Sequence, residues 1–281
     1  MKRALVLAGG GVAGIAWELG VLRGLQDADP DLVRDILAAD VVIGTSAGSA
    51  VAAQVTSGLD LDRLYADQLD DATAEIEIDL DMEALFARFA AATAGVTDPD
   101  EVRRRIGGVA LDTETVPEEV RMVAIEARIP VPSWPDRTLL LPAVDAATGE
   151  PRIFDRYAGV RLVDAVAASC AVPGVWPAVT IGDRRYIDGG ARSSTNADLA
   201  VGSDRILVIT PSAEAAPDPF NRLATEIEVL GADRVHAVFA DEASVAAFGE
   251  NPLAPNTRAA SARAGRAIGV AQAPTIAAFW R

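Results

Sequence analysis

The chain has little of what several common chemistries require. Its 281 residues include one cysteine, Cys170, and one histidine, His236. A lone cysteine excludes an internal disulfide and any multi-cysteine metal site, and with no histidine pair at ligand spacing no metal centre is expected. The absence of a disulfide framework fits a reducing compartment and therefore a cytoplasmic location. No run of about 18 uncharged apolar residues is present, so no membrane span is expected. Lys2 and Arg3 precede an apolar run, Ala4 to Leu7, but three consecutive glycines interrupt it and Glu18 follows, which argues against a signal peptide. Repeats, low-complexity tracts and a linker-like stretch are also missing, so one large α/β domain is the simplest organisation.

Charge of one sign is scarce too. With 25 basic against 41 acidic residues, the formal net charge is -16, and the acids crowd between Asp60 and Glu83. Such a field repels phosphate-rich polymers, which excludes nucleic acid as a partner. It also opposes docking on anionic headgroups, so a membrane contact would be peripheral and carried by apolar residues. Hydrophobic residues make up 50% of the chain, enough for a full core.

Ala4-Leu5-Val6-Leu7-Ala8 reads as a buried strand ended by Gly9-Gly10-Gly11, and Gly14 to Leu25 carries apolar residues at helical spacing. Asp40 to Ile43, then Gly44-Thr45-Ser46-Ala47-Gly48 and a small-residue run to Val55, repeats the pattern. Two strand-loop-helix units predict a mainly parallel sheet covered by helices. The acidic stretch 59–108 reads as helical, with Leu80, Leu85, Phe86 and Phe89 on one apolar stripe; it is either a cap over a site or a solvated edge helix. Strands are expected at Arg121 to Ala127, Thr138 to Leu141, and on both sides of the turn Thr148-Gly149-Glu150. A helix over Leu162 to Ala168, an apolar loop from Val172 to Pro177, and a hairpin at Gly182-Asp183 lead into Asp188-Gly189-Gly190. Arg205 to Thr210 reads as a last core strand, and residues beyond it as mostly helical, including the segment around His236.

Three of these features suit acyl transfer, which needs a nucleophile, a base, and donors for a developing oxyanion. Gly44-x-Ser46-x-Gly48 between strand and helix has the form of a nucleophile elbow, with a tight structural turn as the plain alternative. Gly9-Gly10-Gly11-x-x-Gly14 opens a helix, so its N–H groups can face an anion. An oxyanion hole, a nucleotide site using Asp27, Asp29 or Asp31 for a ribose, and a helix-capping turn all remain open there. The base is either Asp188, at a strand end before a glycine turn, or His236, which completes the chain order of a Ser-His-Asp triad. The apolar loop with Val172, Val175 and Trp176, and the stripe with Leu85, Phe86 and Phe89, offer an apolar wall that would raise a carboxylate base's pKa.

Taken in order, Gly9-Gly10-Gly11-x-x-Gly14, Gly44-x-Ser46-x-Gly48 and Asp188-Gly189-Gly190 resemble the patatin-like phospholipases, as does Ala168-Ser169-Cys170-Ala171-Val172-Pro173-Gly174. The resemblance implies a three-layer α/β/α fold with a mainly parallel central sheet and a catalytic domain over residues 4–200. Residues 59–108 would be its helical cap or insertion, and 201–281 a last core strand and C-terminal helical extension. It further implies a lipid or small ester substrate and no cofactor or metal. Ser46 would be the nucleophile, Asp188 the base, and Gly9, Gly10 and Gly11 the oxyanion donors, with Gly14, Gly44, Gly48, Gly189 and Gly190 shaping the turns. One departure is Ala13, where the family commonly has arginine or lysine. A conventional triad esterase, a nucleotide-binding module and a catalytically silent interaction protein are the competing functions.

Overall fold

A computed structural model describes residues 1–215 and 220–281. The chain runs β1 (Arg3–Leu7), α1 (Gly11–Ala28), α2 (Pro30–Leu37), β2 (Val41–Gly44), α3 (Ala47–Thr56), α4 (Leu61–Leu69), α5 (Met82–Thr93), α6 (Pro99–Asp112) and α7 (Glu118–Arg128). There follow β3 (Thr138–Asp145), β4 (Pro151–Phe154), α8 (Leu162–Ser169), β5 (Val179–Ile181), β6 (Arg184–Asp188), β7 (Arg205–Thr210), α9 (Leu223–Leu230), β8 (Val235–Phe239), α10 (Glu242–Phe248) and α11 (Arg258–Trp280).

The strands form one sheet in the order β5-β6-β3-β2-β1-β7-β8, with β4 also paired to β3. β3, β2, β1, β7 and β8 are parallel, while β4, β5 and β6 pair antiparallel. Strand alternation sorts the core into layers. Leu5, Leu7, Val42, Leu207 and Ile209 face a large cluster built with α1, α3, α8 and α11. Ala4, Val6, Val41, Ile43, Ile206 and Val208 face a smaller one with α9 and the turn at Ala197–Ala200. Strands buried on both faces read as continuous apolar runs, as seen in Ala4 to Leu7. The fold is a three-layer α/β/α sandwich. No described helix is long and apolar enough to cross a membrane.

Two segments differ from expectation. Arg121 to Ala127 is part of α7 and not a strand. Its short apolar run fits either period, but Glu118 and Glu119 open a helix, Arg128 closes it, and Arg121, Ala124 and Ile125 are its buried face. The segment around His236 is strand β8, not helix, because pairing with β7 from Ile206↔Val235 to Thr210↔Phe239 completes the sheet. The stretch 59–108 divides in two. α4 packs on α1 and α11, whereas α5 and α6 meet each other and, through Leu85, Phe89 and Ile106, a third cluster beside β3 and β6.

Candidate active site

The carboxyl ends of β1 and β2 and the end of β6 bring three loops together. Between β2 and α3, Ser46 adopts φ 52° and ψ −118°, a conformation a serine holds only when its surroundings enforce it. Its N–H donates to Ser169 Oγ (3.1 Å). Its carbonyl accepts from Ser49 N–H (2.9 Å), Ser49 Oγ (2.6 Å) and Cys170 Sγ (3.1 Å). Gly48 lets this turn lie on β1: a Cβ there would overlap the Leu7 carbonyl, and its N–H donates instead to Ala8 O (2.9 Å). Ser46 is 8% exposed and lines a cavity.

Asp188 ends β6 and is 4% exposed. Its N–H donates to Ala171 O (2.9 Å), and its Oδ1 accepts from Gly190 N–H (2.7 Å). Burial pushes the carboxyl up to about 7, opposed by hydrogen bonds from the Ser46 hydroxyl and the Gly190 amide. Gly189 permits the turn because a Cβ there would overlap the Pro142 carbonyl.

The glycine loop closes the third side. Gly9 N–H is not available as a donor, since it is bonded to Ser194 O (2.8 Å); a Cβ there would meet Ser46 Cβ at an ordinary contact distance of 3.4 Å. Among the described residues Gly10 and Gly11 N–H have no hydrogen-bond partner. Gly11 has φ 68° and lies against Pro252 and Leu253, leaving no room for a side chain. Ala13 N–H donates to Pro252 O (2.9 Å), so the helix N-terminus is covered by chain where a nucleotide's phosphates would need to lie. Ala13 itself is enclosed in the main core.

Ser46, Asp188 and the glycine loop floor a cavity of about 240 Å³ whose walls are apolar: Leu80, Met82, Leu85, Phe86, Phe89 and Ile106 from the α5–α6 segment, with Val172, Pro173, Phe220 and Leu253. The expected stripe thus lines the cavity. Of Val172, Val175 and Trp176 only Val172 does; Val175 packs against the third cluster, and Trp176 is buried with the Arg121 guanidinium 3.8 Å from its ring centre. Among the described residues no arginine or lysine lines this cavity.

His236 lies elsewhere. β8 is three strand positions from β2, about 14 Å at the usual strand spacing. Pairing levels His236 with Leu207, Leu5 and Val42, in mid-sheet instead of at the edge that carries Ser46. Burial lowers its pKa, and it stacks on Phe279. Among the described residues no group of three His, Cys, Asp or Glu side chains is placed to hold a metal.

Residues with no signal in the sequence complete the junction. Asn196, at φ 50°, donates to Thr45 Oγ1 (3.0 Å) and Ser193 O (2.6 Å), tying the chain after Asp188 to the elbow. Glu18, fully buried in α1, accepts from Ala8 N–H (2.8 Å) at the root of the glycine loop, and burial raises its pKa well above the usual carboxylate range.

A family model described as Patatin-like phospholipase matches residues 5–201. Comparison with curated proteins gives no match. Among solved structures, VipD from Legionella pneumophila is similar at 14% identity and TM-score 0.49, over 98% of this chain and 67% of that one. The type III effector ExoU is similar at 16% identity and TM-score 0.42, over 98% of this chain and 53% of that one. Full-length ExoU of Pseudomonas aeruginosa, in complex with SpcU, gives 14% identity and TM-score 0.36, over 95% and 52%. The chain thus spans about half the length of ExoU.

Proposed function

The chain belongs to the patatin-like phospholipases, a family of lipid ester hydrolases, and on that premise we propose that it cleaves lipid carboxylic esters with Ser46 as nucleophile and Asp188 as base. The observation that carries the reading is that Ser46, on its positive-φ turn, and the buried Asp188 line one cavity together with the glycine loop, with the carboxyl pushed up to about 7, which suits a base working near neutrality. Asp188 takes the hydroxyl proton as Ser46 Oγ attacks the ester carbonyl. The oxyanion then forms against Gly10 and Gly11 N–H, the two amides left free in the loop. Collapse expels the alcohol, which takes the proton back from Asp188, and leaves an acyl-serine. Asp188 next deprotonates a water that attacks the acyl carbon, and the acid is released as the proton returns to Ser46. The apolar walls exclude bulk water and seat the acyl chain.

Fluorophosphonate labelling combined with turnover of p-nitrophenyl esters tests the assignment. Wild type should label and turn over, and Ser46→Ala should do neither while melting as wild type does. Labelling that persists in Ser46→Ala would move the nucleophile elsewhere, and an unlabelled, inactive wild type would make the chain a silent interaction protein.

A further inference from the structure

A second cavity, of about 640 Å³, lies beside the catalytic one, and the two share Phe86, Phe89, Ile106, Ala191 and Phe220 as lining. These five side chains therefore form the partition between them. Phe89 is its central ring: it makes edge-to-face contacts with Phe86 (6.3 Å) and with Phe220 (6.1 Å), and it is buried where Phe86 is 40% exposed. It stands on α5, whose only buried residues are Leu85 and Phe89, so the ring is carried by an element with little else in the core.

The two volumes set what each cavity holds. An enclosed apolar cavity of about 150 Å³ takes up benzene, roughly 25 Å³ for each heavy atom. At that density the catalytic cavity, of about 240 Å³, has room for roughly ten heavy atoms, enough for an ester group and a short acyl chain. The second chamber is more than twice as large. Its lining adds Ala90 and Val102 to the shared apolar residues. The polar groups there have their own partners or meet solvent: Thr93 bonds Phe89 O, the Arg103 and Arg192 guanidinium groups are engaged by Gly149, Asp100, Asn196 and Asp198, and Arg222 is exposed. The arginine stems can thus border an alkyl chain with no counter-ion in the chamber.

We propose that Phe89 sets acyl-chain length: a short acyl chain fits the catalytic cavity whole, and a longer one must push the Phe89 ring aside to extend into the second chamber. The inference rests on the hydrolase reading above and deepens it by naming the substrate class, esters of short-chain acids in preference to those of long-chain acids. The reason is a balance of two effects. Each further methylene favours binding only while apolar space remains for it. At the partition that gain is offset by the loss of two aromatic contacts and the displacement of a buried ring. With the ring removed the two cavities become one apolar tract, and the added methylenes are buried without that cost. A hydrocarbon chain is the occupant because every side chain of the partition is apolar.

The test compares p-nitrophenyl butyrate with p-nitrophenyl decanoate, which differ in the acyl chain alone, both kept below the concentration at which decanoate aggregates. In wild type kcat/KM should be higher for butyrate. In Phe89→Ala the ratio of decanoate to butyrate should rise about tenfold. Phe89→Leu, closer in volume, should give a smaller rise, and Phe89→Trp, which thickens the partition, should lower the ratio. Both esters are read on one preparation, so the ratio does not depend on how much of a variant is folded. A ratio that keeps its wild-type value in all three variants, or a wild type that prefers decanoate, overturns the proposal. So does an unmoved acyl ratio with a changed preference between p-nitrophenyl and bulkier naphthyl esters, which would put the alcohol half in the chamber. If wild type hydrolyses neither ester, the failure belongs to the hydrolase reading. Calorimetric binding of decanol then decides the role of Phe89: tighter binding in Phe89→Ala than in wild type supports it, and equal, weaker or absent binding overturns it.

Discussion

At Asp188 a single property, burial, has two opposite consequences. It raises the carboxyl's pKa to about 7, which suits a base, and it makes the ionised form costly to fold. Below pH 4 the carboxyl is protonated both folded and unfolded, so it has no effect. Between about pH 4 and 7 the unfolded chain ionises first and stability falls; above 7 the loss is complete. Asp188→Asn should therefore raise the melting temperature by an increment that grows from pH 4 to 7 and then levels, while turnover falls by orders of magnitude. A pH-independent increment would place the carboxyl in water. His236→Ala, on a strand that does not reach the site, should change turnover by less than about tenfold.

Ser46 depends on its neighbours in the same way. Four hydrogen bonds, three accepted by the Ser46 carbonyl from Ser49 and Cys170 and one donated by its N–H to Ser169, fix a backbone conformation that costs about 1–3 kcal/mol. Ser169→Ala removes the acceptor for Ser46 N–H and should lower kcat about tenfold with little change in KM, whereas Cys170→Ser keeps a donor and should retain most activity. Matching losses in kcat and KM would point to general disorder of the site in place of a misplaced nucleophile.

Among the elements, α1 is the one whose placement the site most needs, since its first turn is the glycine loop. It is held by α11 at close range: a Cβ on Gly20 or Gly24 would overlap the backbone of Ala262 or Arg266, and one on Gly265 or Gly269 would overlap that of Trp17 or Val21. Glycines four apart on both helices thus form one contact seam. In an open helix Gly24→Ala would stabilise by up to about 1 kcal/mol. Here the clash dominates, and the variant should lose about 2 kcal/mol, on the order of 5 °C in melting temperature. Because α1 would be pushed from α11, ester turnover should fall as well; a rise in stability would show that the helices separate freely.

For the molecule as a whole, the proposed machinery consists of backbone amides, one hydroxyl and one carboxylate, and the described residues hold no cluster of metal-ligand type. Hydrolysis of a soluble ester should therefore survive EDTA, and loss on chelation with recovery only on adding a divalent cation would overturn this expectation. A soluble ester keeps this separate from any cation effect at a lipid surface carrying charge of the same sign as this acidic chain.

The glycine turns were legible in the sequence because each is local: a strand, a turn that only small residues allow, and a helix lie within about a dozen residues, so Ser46 and the loop Gly9 to Gly11 announce their geometry. Counting also determined something, since one histidine and one cysteine restrict the possible chemistries before any fold is known. What pairs with what was decided only in three dimensions. The segment around His236 became a strand because an open sheet edge was waiting beside β7, and α7 resolved an apolar run whose period was ambiguous. Gly9 lost its role as a donor because Ser194, from the chain after Asp188, takes its N–H. Ser169 and Cys170 stand in the stretch Ala168 to Gly174 that the sequence singled out, but their bonds to Ser46 join segments far apart in the chain, and such contacts have no period to read.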